Sequence, residues 1–305
     1  IDILDLDMKK QLGLTATMKE LDTDETKIDN MNESIFGSII DQKSISWGID
    51  KNYLSDYYLS VPKITLQKLE ELVDNDSISK DNYYLYLSAY MSLISLTTGN
   101  INKLLIFVNR ITDIEIIYEF ITSMVRLNED FYQININTIF RVVDKINDIK
   151  VDTSSLIKEF NNISSGIMIN CYKIGEGIDI PSLDSVLFAD NMNSSIRIIQ
   201  SALRPCRIDP NNPHKKAHII VPMIYEHEDD EAYGNEENDN IKKFDTLRQI
   251  IEEISISDEN FLHKIKCVEI TSTPNYNPYK KFKSVETPEL EHSFKMKLIE
   301  RNMLG

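Results

Sequence analysis

From Lys103 to Val221 short apolar segments alternate with amphipathic ones, and this alternation constrains the fold more than any other feature. Leu104-Leu-Ile-Phe-Val108, Gly166-Ile-Met-Ile-Asn-Cys171, Ser185-Val-Leu-Phe-Ala189 and Ala217-His-Ile-Ile-Val221 have the character of strands buried on both faces. Between them, residues 112–127, 153–162 and 194–204 carry helical periodicity, with Asp113 and Glu115 placed in a first turn. Strand, helix and strand in series predict right-handed βαβ units around a parallel sheet. A further strand is predicted over Phe131 to Ile136. Helices are predicted over 65–74, 81–97, 241–256 and 288–303; the second puts Tyr84, Leu87, Tyr90, Met91 and Ile94 on one face.

Outside that alternation the chain is less regular. Gln11 to Thr17 reads as a strand closing an earlier domain, and residues 33–62 as a connector whose extended stretch ends at Pro62. Glu226 to Asn240 is acidic with no apolar period, which predicts a solvated loop at a domain edge. The first residue is Ile, and no secretory leader pattern follows, so the sequence reads as a fragment of a longer protein.

Charge and cysteine usage exclude several classes. With 33 basic and 49 acidic residues, net −16, the whole surface repels nucleic acid, so any such binding must be local. Cys171, Cys206 and Cys267 lie far apart without a Cys-x-x-Cys pair, which argues against a disulfide framework or a zinc site. His214, His218, His227, His263 and His292 have no ligand spacing and read as surface or loop residues; no metal site is expected. Apolar runs end well short of the roughly 20 residues a membrane helix needs, and a soluble intracellular protein is expected.

Two segments carry chemistry. Gly175-Glu-Gly-Ile-Asp-Ile-Pro181 is a glycine-rich turn directly after a buried strand, where parallel sheets bind ligands; a plain tight turn is the alternative. In Ser194 to Arg207, the residues Arg197, Gln200, Arg204 and Arg207 recur at spacings of three and four, with Ile196, Ile199 and Leu203 on another side. Guanidinium groups stacked on one face repel unless an anion or carboxylates offset them, and their planar fork suits phosphate. The competing reading is a surface stripe paired with the chain's own acids. Pro205 should end the helix near Arg204 and leave Arg207 on the following turn.

Together these segments resemble motifs V and VI of superfamily-two helicases. Leu14-Thr-Ala-Thr17 is similar to motif III, and Leu104-Leu-Ile-Phe-Val-Asn-Arg110 to the strand and turn of motif IV, in the same order. The resemblance, closest to viral and restriction-translocase motors, implies a RecA-like parallel sheet flanked by helices, the helicase C-terminal lobe. It divides the chain into the end of a first lobe with its connector (1–60), the second lobe (61–225) and an acidic loop with a helical extension (226–305).

The family roles follow by position. Arg204 and Arg207 would be arginine fingers toward the γ-phosphate of ATP, and Gln200 would orient water or a finger. Gly175, Gly177 and Asp179 would border the nucleotide. Thr15, Ala16 and Thr17 would couple the lobes, while Asn109, Arg110 and Lys173 would touch nucleic acid, DNA ahead of RNA. Leu203 and Cys206 replace small residues, and Asn170-Cys171 stand where a threonine is usual. No Gly-x4-Gly-Lys-[Ser/Thr] loop occurs, so ATP and Mg2+ would be bound mainly by an upstream lobe of the same protein, and this stretch alone should not hydrolyse ATP. The extension from 226 would take a protein partner. A non-catalytic interaction module built on such a lobe is the alternative. The motor reading requires that the guanidinium groups are not consumed by carboxylates of their own lobe.

Overall fold

The computed structural model describes residues 38–73, 78–99, 101–146, 149–171, 179–190, 195–225, 245–272 and 282–286. The chain divides into a unit of residues 1–44, of which only 38–44 are described, and a unit of residues 45–305. The predicted motif III, the acidic segment 226–240 and the helix 288–303 lie outside the described residues.

Among the described residues of the second unit, nine strands form one sheet. The strands are β1 (Tyr57–Thr65), β2 (Lys103–Phe107), β3 (Ile139–Val142), β6 (Gly166–Asn170), β7 (Ser185–Phe188), β8 (Ala217–Ile220), β9 (Met223–Tyr225), β10 (Ile265–Ser272) and β11 (Phe282–Glu286). A two-stranded ribbon, β4 (Lys145–Ile146) and β5 (Ile149–Lys150), stands apart. The sheet order is β3-β6-β2-β7-β8-β1-β10-β11, with β9 continuing the β8 side of β1. Every pairing in this sheet is parallel except β10 with β11.

Alternate residues along each strand serve opposite cores, as the pleat requires. Leu104 and Ile106 of β2 face one apolar cluster, while Leu105 and Phe107 face the other. The first cluster is closed by α2 (Leu66–Val73), α3 (Tyr83–Thr97) and α4 (Ile111–Leu127). The second is closed by α5 (Thr153–Asn162), α6 (Ser195–Ala202), α7 (Asp245–Ser257) and α8 (Phe261–Lys264). Helix α3 is buried on nearly every side, including Tyr83 and Leu85 through Leu93, the state of a helix that is apolar all round. Each buried Leu or Ile contributes about 1.5–3 kcal/mol, so the alternation is what makes a sheet covered on both faces pay.

Local sequence sets the boundaries. Asp152 accepts the Ser154 N–H at the start of α5. Gly99 follows α3 at φ +72°, the left-handed conformation glycine supplies without strain. Gly166 begins β6 so close to Thr138 that a Cβ would lie 2.5 Å from the Thr138 carbonyl oxygen.

Four expectations change. First, the extended stretch does not end at Pro62: β1 runs on to Thr65, between β10 and β8/β9. Its register advances evenly from Ser60 opposite Ile220 to Lys63 opposite Met223, bringing Pro62 level with Pro222 at the interruption between β8 and β9. The short helix α1 (Ile45–Asp50) precedes it within the expected connector. Second, residues 131–136 are not a strand. Asn128 and Asn135 accept the N–H groups of Asp130 and Asn137 and cap tight turns, so the strand starts at Ile139.

Third, the C-terminal part is not only helical, because β10 pairs with β1 and buries Ile265 and Cys267. Fourth, the buried side of α6 is Ile198, Ile199 and Ala202, with Leu203 partly covered. No described helix is long and apolar enough to cross a membrane.

Candidate functional site

Motif VI begins on α6 and is bent by its proline. The helix stops at Ala202, a tight turn spans Arg204–Cys206, and Arg207 leaves it in extended conformation at φ −62°, ψ 140°. Arg207 therefore lies beyond the helix, as Pro205 predicts. Leu203, where a glycine would be usual, sits at φ −86°, ψ 0°, a conformation that needs no glycine. Cys206 is fully buried, and burial pushes its thiol up to about 12, so it packs and does not react.

This turn is clamped from β1's side. The Ser55 N–H donates to the Cys206 carbonyl at 2.6 Å, Leu54 bridges Arg207, and the Ser55 hydroxyl donates to the Arg207 carbonyl at 3.3 Å. The backbone of the second arginine is thus held while its side chain stays half exposed, at 42%.

The end of the glycine-rich loop meets it. Among the described residues of that loop, Asp179 accepts from an Arg207 terminal nitrogen at 2.6 Å. A small recess is lined by Leu105, Ile180, Leu183, Arg204 and Arg207, so both predicted fingers lie against the descending limb of the loop. Asp179 and Arg207, assigned separate roles by sequence, are ion-pair partners, because Leu54 and Ser55 draw the motif VI turn toward the loop. A guanidinium locked in its own lobe could not serve a triphosphate. Here the side chains are 42% and 67% exposed, and such a surface pair contributes only about 0–1 kcal/mol. Gly175, Gly177 and Lys173 lie outside the described residues. Gln200 is half-buried and Arg197 exposed on α6.

Beneath the loop lies a polar layer that sequence reading missed. Lys215 is buried, and its ammonium donates to the carbonyls of Pro181 and Leu183 at 2.6 and 2.7 Å. Lys103 donates to the Asn161 carbonyl and the Ser182 hydroxyl. Asp184 accepts the backbone N–H groups of Asn102 and Lys103. Burial holds both lysines below their ordinary range against the pull of Asp184 and Asp209, and burial raises Asp184 although those N–H groups oppose it. The only signal in sequence was a lysine at the head of each of two apolar strands, a weak one.

The carboxyl ends of β2, β6 and β3 form the other half of the site. Asn109 and Arg110 follow β2; Arg110 is 67% exposed and pairs with Asp113 at 3.1 Å, which raises its pKa. The Cys171 thiol donates to the Asn109 carbonyl at 3.1 Å, tying motif IV to the start of motif V. Asn170 and Cys171 are both buried, so they join these strand ends internally. Phe188, in the segment Phe188-Ala-Asp190, stacks on Phe107 within the sheet. His218 is in β8, not a loop, half-buried beside Tyr58 and lowered by burial and Lys216. Trp47 rests on Tyr53 at 5.3 Å.

No family model matches the chain. A protein of African swine fever virus (isolate Tick/Malawi/Lil 20-1/1983) described as a "probable helicase" is 26% identical over 266 residues, which is 84% of this chain and 27% of that protein. The chain has a RecA-like parallel sheet flanked by helices. In structure it is similar to the ATP-dependent type ISP restriction-modification enzyme LlaBIII bound to DNA, with a TM-score of 0.64 and 16% identity over 96% of this chain and 20% of that one. A fragment of a putative HsdR subunit of a type I restriction enzyme from Vibrio vulnificus matches at 0.51 and 16% identity, covering 85% of this chain and 44% of the fragment. The chain spans about a quarter of the length of this viral relative.

Proposed function

We propose that this lobe is the second half of an ATP-dependent helicase or translocase, and that Arg204 and Arg207 are its arginine fingers. The observation that carries the reading is that Arg204 and Arg207 line one small recess together with Ile180 and Leu183 from the end of the motif V loop. Guanidinium groups fit the oxygens of a phosphate chain, and their charge offsets what develops on the transferred phosphoryl group. ATP with Mg2+ would supply that phosphoryl group from a first lobe.

The exposed pair gives the fingers a resting state. Arg207 would exchange Asp179 for phosphate, and the freed Asp179 carboxylate would accept from a ribose hydroxyl. Gln200 would orient the water, Gly175 and Gly177 would let the loop approach the nucleotide, and the buried Lys103–Asp184–Lys215 layer would keep the loop's lower limb fixed. Nucleic acid would lie along Asn109, Arg110 and Lys173, with Thr15, Ala16 and Thr17 relaying lobe closure. DNA is favoured over RNA because the similar solved structures are restriction motors, one of them bound to DNA.

Arg207→Ala in the complete protein is expected to leave nucleotide binding nearly intact and to lower turnover by about three orders of magnitude. Wild-type turnover in that variant would remove the finger assignment and favour an interaction module, in which Arg207 simply pairs with Asp179.

A further inference from the structure

The ribbon β4–β5 rises from the carboxyl end of β3 with no place in the main sheet. Its register sets Lys145 directly opposite Lys150 and Ile146 opposite Ile149. Residues opposite each other in an antiparallel pair project from the same face, so the two lysines share one face and the two isoleucines the other. Like charges placed directly opposite destabilise a ribbon, and a ladder this short returns little to offset them. Both lysines are exposed, and neither has an ion-pair partner among the described residues. Asp144 and Asp152 flank the ribbon, but Asp152 is engaged with Ser154 and Ser155 at the start of α5.

The apolar face is equally uneven. Ile146 and Val151 pack against the core, and the Val151 N–H donates to the Asp144 carbonyl at 2.8 Å, which anchors the base. Ile149 is 72% exposed. The position matters most: β2, β6 and β3 are consecutive in the sheet, so the ribbon extends the row of strand ends that starts at Asn109 and Arg110 and passes through Cys171.

We propose that the β4–β5 ribbon is a nucleic-acid contact, with Lys145 and Lys150 astride backbone phosphates on the face turned away from the core. A polyanion removes the repulsion that the register builds in. The inference rests on the motor reading for the direction of the track, though not on the arginine fingers.

The test uses the complete protein and fluorescence anisotropy with a short fluorescent DNA duplex and its separated strand. Replacing both lysines by threonine removes the like-charge pair and keeps a strand-forming side chain. This variant should melt no lower than wild type, bind DNA about tenfold more weakly, and lower the slope of log affinity against log salt by nearly two on duplex. Ile149→Ser, on the opposite face, should change neither the affinity nor that slope. Unchanged affinity and slope in the lysine variant overturn the proposal, as does stronger loss of polyglutamate than of DNA binding, which would indicate a protein partner. Arg110→Glu separates the two levels of inference. Loss of DNA binding there but not in the lysine variant sinks the ribbon alone, and no loss in either removes the track as well.

Discussion

Two aspartates in this lobe each take a cation at nearly the same distance and do opposite things with it. Asp258 meets the Lys264 ammonium at 2.8 Å, with the side chains 0% and 11% exposed. It also accepts from the Tyr57 hydroxyl, the Ser46 hydroxyl and the Asn260 N–H, so every part of the carboxylate is used. Asp179 meets Arg207 at 2.6 Å with both side chains well exposed. The buried carboxylate joins α1, β1 and the turn before α8 into one piece. The exposed one holds a guanidinium where water competes for it. Bond length alone does not distinguish a staple from a latch; solvent and the count of partners do.

The largest effect is expected at the staple. Asp258→Ala leaves Lys264 in a buried site with Asp56 as its other carboxylate, at 2.9 Å, and should cost about 3 kcal/mol in urea unfolding. A loss below about 1 kcal/mol would show that the hub is replaceable and that the two aspartates differ less than their burial indicates.

A smaller effect is expected with acid. Burial would raise Asp258, but Lys264, Tyr57, Ser46 and Asn260 overcome it and hold the carboxylate below its ordinary range. The unfolded chain therefore binds this proton first. The stability it contributes is fully present above the unfolded pKa of about 4 and disappears as pH falls through the lower folded value. Asp258→Asn should flatten that acid limb, measured by thermal melting below about pH 4; an unchanged limb would assign it to other carboxylates. The smallest effect is at the latch: Asp179→Ala should change stability by less than about 0.5 kcal/mol. A loss as large as that at Asp258 would mean that Arg207 is held in place.

How much of this was legible is clearest from particular elements. The strands at 104, 166, 185 and 217 and the helix at 153 were readable because each is a continuous apolar or periodic run that no neighbour has to complete. The break at Pro205 was readable because a missing N–H is a local fact. Strand β1 was not, since a proline in a run argues against a central strand, and the interruption between β8 and β9 that accommodates it, at Pro222, lies 160 positions further on. Strand β10 alternates only over Ile265-Lys-Cys before Val268 breaks the pattern, and only pairing with β1 gives Ile265 and Cys267 a core to face.

The amino-acid sequence by itself determined the parallel α/β class, the order of the motifs and the presence of two arginines at one bend, because spacing and hydrophobic period act within a few residues. Tertiary structure alone decided which carboxylate each cation meets. It paired Asp179 with Arg207, buried Lys215 under Pro181 and Leu183, and set Lys145 against Lys150 beyond the carboxyl end of β3. Those outcomes depend on which distant segments share a dry or a wet environment, and charge energetics follow that environment rather than the sequence interval.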